Sequence, residues 1–205
     1  CSDVAPAHAG GIEVAARGGA WAAFLNAGQV CTSAERFYVM EDVYDDYVAA
    51  FVDHTERLVL GDPFEVATDI GPMVSATQRQ KVTDQVDAAV AAGAELVTGG
   101  GDGGQVRDLD EAIALANGTR FGLGANVYTG DLKSAVRCMR ELRAGTVWIN
   151  DPLTDNDAGP FGGFKQSGIG RELGREGLEA FQETKHVHME TEIERKSWWY
   201  PYSEY

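Results

Sequence analysis

Cysteine is scarce in this chain of 205 residues: there are three, Cys1, Cys31 and Cys138. Their spacing matches no metal motif, and an odd count does not give a disulfide framework. A reducing compartment follows, and the reading is cytoplasmic. Long apolar runs are missing as well, and none reaches the length of a membrane span. The first residues carry no basic stretch leading into an apolar core, so no signal peptide is predicted. Basic side chains are outnumbered: 17 Lys and Arg face 32 Asp and Glu, for a net charge of −15. That balance argues against nucleic acid and against an anionic membrane surface as partners. There is no internal repeat. No Gly-x-Gly-x-x-Gly follows a strand-like run, so the usual dinucleotide fingerprint is missing.

What remains is ordinary for a globular protein: 44% hydrophobic and 24% charged residues, enough for one domain or two small ones. The pattern centres on Phe24-Leu-Asn-Ala-Gly-Gln-Val-Cys-Thr-Ser33. Small apolar residues lead into it from Gly18, and residues 12–25 read as a helix. Asn26 and Gly28 tolerate left-handed angles and can stop that helix. Cys31 then falls on a turn before a strand-like run, Arg36-Phe-Tyr-Val-Met40. A thiol so placed is held rigidly and still faces a cleft, as a nucleophile requires. The same residue also reads as a small buried hydrophobe.

Further along, residues 5–10 are a loop by composition. Asp42 is positioned to cap a helix in which Tyr44, Tyr47, Val48 and Phe51 recur at helical spacing. His54 lies in that helix with nothing to pair it with Cys31. Gly61-Asp-Pro-Phe and Gly71-Pro-Met are turns. Ser75-Ala-Thr-Gln78 is a capping box opening a helix with Val82, Val86 and Val90 on one face. Glu95–Thr98 reads as a short strand. Gly99 to Gly104 then places five glycines in six residues, a flexible link or the trace of a missing segment. Asp108 caps a helix ending at Asn117-Gly118, and Gly124–Thr129 is a strand. Asp131–Arg143 is a helix with Leu132, Ala135, Val136 and Met139 inward and Cys138 beside them. Gly145–Asn150 is a buried-type strand. A glycine-rich loop over 159–170 holds Lys165 before a helix at 171–181, an arrangement open to an anion or to a purely structural role. Residues 184–190 alternate as a strand, and Ser197–Tyr202 is an aromatic tail suited to docking. Alternating helices and apolar strands give the fold class: α/β, a largely parallel sheet flanked by helices.

Four stretches together resemble one family. Asn26-Ala-Gly-Gln-Val-Cys31 is similar to the active-site cysteine motif of the NAD(P)-dependent aldehyde dehydrogenases. Gly145-Thr-Val-Trp-Ile-Asn150, Pro160-Phe-Gly-Gly-Phe-Lys-Gln-Ser-Gly168 and Gly170-Arg-Glu-Leu-Gly174 resemble its downstream blocks in the same order. Gly61-Asp-Pro and Gly71-Pro-Met-Val fit too. The resemblance implies an oxidoreductase taking an aldehyde and NAD or NADP to a carboxylate. Cys31 would be the nucleophile, through a thiohemiacetal and a thioester. It further implies that Val30 and Thr32 flank the substrate channel, that Phe161 lines its mouth, and that Gln78 and Lys81 approach the cofactor. Arg171 and Glu183 match a bracing pair. A small-molecule aldehyde and a homo-oligomer are the implied partners, and no metal is expected.

By the same comparison the chain reads as a truncated member. Residues 1–183 form an incomplete catalytic domain, with a possible internal deletion near 99–106. Residues 184–205 form an oligomerisation strand and aromatic tail. The family's Glu-Leu-Gly-Gly-Lys motif, which carries the general base, belongs upstream of Cys31 and is not among these residues. Gly99–Val106 stands where the family's Glu-x-Phe-Gly-Pro block would hold the nicotinamide ribose. Two alternatives remain: a non-catalytic folding and oligomerisation module, or a thiol esterase that stalls at the acyl-enzyme.

Overall fold

The computed structural model describes residues 2–5, 9–98, 104–196, 198 and 199. A short strand, β1 (Ser2–Ala5), leads to α1 (Ala9–Phe24) and returns through β2 (Arg36–Met40). Then come α2 (Tyr44–Glu56), α3 (Ala76–Ala91) and β3 (Gly104–Val106). These are followed by α4 (Leu109–Asn117), β4 (Phe121–Gly122), β5 (Gly124–Val127), α5 (Leu132–Glu141) and β6 (Thr146–Ile149). β7 (Phe164–Lys165) and α6 (Gly174–Glu179) close the order. Five strands form one sheet in the order β3-β2-β1-β5-β6, and every pairing is parallel. The winding runs outward from β1 to β3, then restarts at β5 on the other side of β1. This is a doubly wound arrangement with its reversal between β1 and β5. β4 and β7 form a separate antiparallel pair.

Each sheet face has its own core. On one, Tyr38, Val106, Ala125 and Val127 pack with Ala112, Ile113, Cys138 and Leu142 of the α4–α5 side. On the other, Val39 and Tyr128 pack with Ile12, Ala15 and Ala16 of α1 and with Val43 and Tyr47. The strand period of two sends neighbours to opposite faces: Tyr38 goes one way and Val39 the other. Val39, Val106 and Val127 are fully buried, each worth roughly 1.5–3 kcal/mol. α1 meets its neighbours through alanine and glycine. A Cβ at Gly19 would lie 2.6 Å from the Tyr47 hydroxyl, so α2 sits close. Phe51 of α2 meets Phe37 edge-on at 5.1 Å, and His54 Nε2 lies 2.8 Å from Glu13 Oε1 of α1. α4 and α5 are joined by Arg137, which pairs with Asp110 and with Glu141. Asn117, at the end of α4, donates to Glu141 O at 2.8 Å and accepts from Arg143 N–H at 2.7 Å.

Several expectations hold. β2 spans the anticipated Arg36–Met40. Ser75 Oγ accepts from Gln78 N–H at 3.1 Å, and Asp108 and Asp131 cap α4 and α5 in the same way. Others are corrected. Asp42 lies in a 3-10 turn, and the cap position of α2 is Val43, with no side-chain bond. Glu95–Thr98 is irregular, because no strand lies alongside to pair with it. Gly104 begins β3, while Gly99–Gly103 lie outside the described residues. α5 is rolled relative to expectation. Ala135 and Cys138 face inward, while Leu132 and Met139 are exposed, because the sheet selects the face that continues into Leu142. The Val82–Val90 face of α3 is not packed into a core, and none of that helix is fully buried. The helix expected over 171–181 is confined to Gly174–Glu179. Residues 184–190 form no strand and are exposed. Arg171 donates to Gly170 O at 2.6 Å and Gly163 O at 3.2 Å and stacks on Phe164. Among the described residues it forms no ion pair with Glu183. Lys165 is likewise committed, donating to Asn117 O at 2.9 Å and Thr119 O at 3.2 Å. Those bonds support the structural reading of the glycine-rich loop.

Candidate active site

α1 ends at Phe24 because the next turn changes hand. Asn26 and Ala27 have φ of 53° and 57°, and Gly28 follows at 73°. Asparagine and glycine adopt such angles readily, but for alanine they cost about 1–2 kcal/mol. Gln29 holds the turn in place. Its backbone N–H donates to Asn26 O at 3.2 Å, and its side-chain Nε2 donates to the same oxygen at 2.9 Å. Its Oε1 accepts from Val74 N–H at 2.9 Å. A second anchor follows the cysteine. Ser33 N–H donates to Val30 O at 3.0 Å and Ala34 N–H to Ala22 O at 3.0 Å. Ser33 Oγ donates to Ala23 O at 3.0 Å.

Between these anchors Cys31 is exposed, while Thr32, Ser33 and Ala34 are buried. The thiol is free. The Cys31 backbone N–H has no acceptor among the described residues. Cys31 edges a cleft of ≈ 420 Å³, whose other walls include Arg36 at the start of β2, Gly124 at the start of β5, Arg143 and Ser167. The cleft thus opens at the amino-terminal ends of the parallel strands. Arg36 Nη1 donates to the Tyr38 hydroxyl at 2.8 Å. Burial, helped by the charges of Arg143 and Arg36, pulls the Lys165 amine below its ordinary range.

Val30 and Thr32 flank Cys31 in the same turn, Val30 half-buried and Thr32 buried. Phe161 lies outside this cleft, paired with Glu172 through two 2.7 Å backbone bonds. Gln78 and Lys81 also lie outside it, on α3. The Gln29–Val74 bond ties the residue just before the α3 cap to the cysteine turn. Gln29 has no assigned role in the sequence reading. Its signal was a polar side chain two residues before the thiol, but its partner is 45 positions away. Among the described residues no cluster of His, Cys, Asp and Glu could hold a metal ion, and no helix is long and apolar enough to cross a membrane.

The family model of the aldehyde dehydrogenase family matches residues 7–107 and 104–187. This chain belongs to the aldehyde dehydrogenase family. The two matched pieces meet where the glycine-rich stretch joins β3. A relative, aldehyde dehydrogenase, cytosolic 2, of Macroscelides proboscideus, is 35% identical over 87% of this chain and 86% of its own length. Betaine aldehyde dehydrogenase of Bacillus subtilis is 34% identical over 91% of this chain and 46% of its own. Among solved structures, betaine aldehyde dehydrogenase from Staphylococcus aureus in complex with NAD+ superposes with a TM-score of 0.90. It is 30% identical and is matched over 97% of this chain and 46% of that one. The chain therefore spans less than half the length of most of these aldehyde dehydrogenases, as with the Enchytraeus buchholzi relative, matched over 41%.

Proposed function

We propose that these residues supply the nucleophilic half of an enzyme that oxidises an aldehyde to a carboxylic acid with NAD or NADP. The observation that carries this is Cys31 itself: an exposed free thiol, anchored on both sides, with an uncommitted backbone N–H at its own position. The Cys31 thiolate attacks the carbonyl carbon, a C–S bond forms, and the carbonyl π pair moves to oxygen. The Cys31 N–H is available to donate to that oxyanion, a contribution typically worth a hundredfold or more in rate. NAD(P), when bound, accepts the hydride. Lys81 and Gln78 would meet it from α3, and Lys81 has no partner among the described residues, which suits a waiting anionic group. Val30 and Thr32 would shape a channel beside the thiol that is distinct from the cleft toward Arg36 and Ser167, and Phe161 would line its mouth.

In the enzyme that carries these residues, Cys31→Ser should abolish NADH formation from an aldehyde, a loss of at least about a thousandfold. Unchanged turnover would remove Cys31 from the mechanism. An activated ester should likewise acylate the thiol and release one burst of leaving group.

A second reading, a module whose main work is assembly, is favoured by one observation. Large apolar side chains stand in solvent among the described residues, Phe64, Val66, Ile169, Phe181 and Ile193 each more than nine-tenths exposed, where a folded monomer would normally cover them. The two readings are compatible, since a catalytic half still has to be covered.

A further inference from the structure

We propose that Gln29 is a positioning residue that couples the turn presenting Cys31 to the start of α3, so that whatever docks on α3 also sets the thiol. The inference rests on the reading of Cys31 as nucleophile and of α3 as the cofactor-facing element. It adds how the two communicate.

The geometry points to coupling because Gln29 joins the amino-terminal side of the cysteine turn to the start of α3. On its near side lie the left-handed residues Asn26 and Ala27, held by the bonds of Gln29 to Asn26 O. On its far side Oε1 takes the Val74 N–H at 2.9 Å, and Ser75, the next residue, caps α3. None of α3 is buried. Its side-chain bonds, Gln80 to Asp84 and Thr83 to Arg79, stay within the helix. Toward its far end the segment carrying it is tied by Thr98 Oγ1 to Glu56 Oε1 at 3.1 Å. An unpacked helix has low local stability, so its position is set by its ties. A displacement of the first turn of α3 moves Val74, and Val74 pulls on the same side chain that steadies Asn26 and Ala27. No path of packed apolar side chains is required, only one amide with both ends engaged.

The test is a double-mutant cycle read by amide hydrogen exchange on the whole protein. Ser75→Ala removes the cap and loosens the first turn of α3. It should speed exchange across residues 27–33 about fivefold, the size expected for loss of one hydrogen bond's support. In a Gln29→Leu background the same Ser75→Ala change should leave residues 27–33 at the Gln29→Leu level, while β5 and β6 keep their protection throughout. Should Gln29→Leu disturb β5 or β6, Val74→Pro deletes the same bond from the other side and takes its place in the cycle. The proposal is overturned if Ser75→Ala leaves residues 27–33 unchanged, or if it speeds them equally with and without Gln29. Exchange does not depend on turnover, so an inactive Cys31→Ser enzyme would show the same coupling. A catalytic Cys31 without coupling would be equally distinct.

Discussion

Ala27 holds φ at 57° and ψ at 36°, angles that a glycine would hold without strain. Ala27→Gly should therefore raise stability by about 1 kcal/mol, read as a higher urea midpoint at unchanged slope. If the strain also sharpens the presentation of Cys31, the stabilised protein will pass less of its binding into turnover. Asn26 and Gly28 were legible as a helix stop because their residue types carry the signal. Ala27 was not, since alanine gives no sign of a left-handed backbone. Cys31 was legible as a turn residue, but its exposure against buried neighbours emerges only from Ser33 and Ala34 bonding back to α1. Cys138 shows the contrast. It is fully buried, and burial pushes its thiol above the ordinary 9.0, partly offset by Arg137. The folded chain thus keeps that proton longer than the unfolded one. Below pH 9 the group leaves stability unaffected, and above it stability falls as the unfolded thiol ionises first. Comparing denaturant midpoints of the parent and Cys138→Ala across that range should show the parent's extra decline.

At the scale of elements, local signals located strands and caps well and chose faces poorly. β2, α4 and β6 follow from their own residues. The roll of α5 does not, because Leu132, Val136 and Met139 make one apolar stripe and Ala135, Cys138 and Leu142 another. Only the sheet decides between them. Residues 184–190 have a strand's alternation and, among the described residues, no neighbouring strand. α3 has an amphipathic pattern, yet none of its residues is buried. Where two elements do meet, the fit is close. A Cβ at Gly145, just before β6, would collide with the Gly162 carbonyl oxygen. Gly145→Ala must push the 159–170 loop off β6, and should cost about 3 kcal/mol or more. Thermal unfolding measures the loss. A drop under about 0.5 kcal/mol, the range of ordinary surface changes, would mean that the loop is free to move away.

For the molecule as a whole, the parallel α/β class was legible from alternation alone. The doubly wound order was not, because nothing local says that β5 returns to β1 rather than joining β3. The exposure of large apolar side chains was equally hidden. Phe64, Val66, Ile169, Phe181 and Ile193 are each more than nine-tenths exposed, and apolar residues in such numbers are normally covered. Covering them by self-association is the expected outcome for the chain on its own. Light scattering should give a mass above 22.0 kDa that falls when residues 184–205 are removed. A monomer before and after that removal would count against the assembly reading. The charge of −15 opposes indiscriminate clumping and leaves matched surfaces as the route to contact.

The lock at the end of α4 also bears on how the protein ages. An asparagine followed by glycine, as at Asn117-Gly118, is where a free chain most readily loses its side-chain amide, when the next backbone nitrogen closes on the side-chain carbonyl. Here that nitrogen is turned onto Leu115 O at 3.1 Å, and the two ends of the Asn117 amide are bonded to Glu141 at the end of α5 and to Arg143 just beyond it. The dipeptide is thereby a recorder of conformational history. It stays an amide while α4 and the α5–β6 turn are together, and converts to a carboxylate in molecules that have spent time apart.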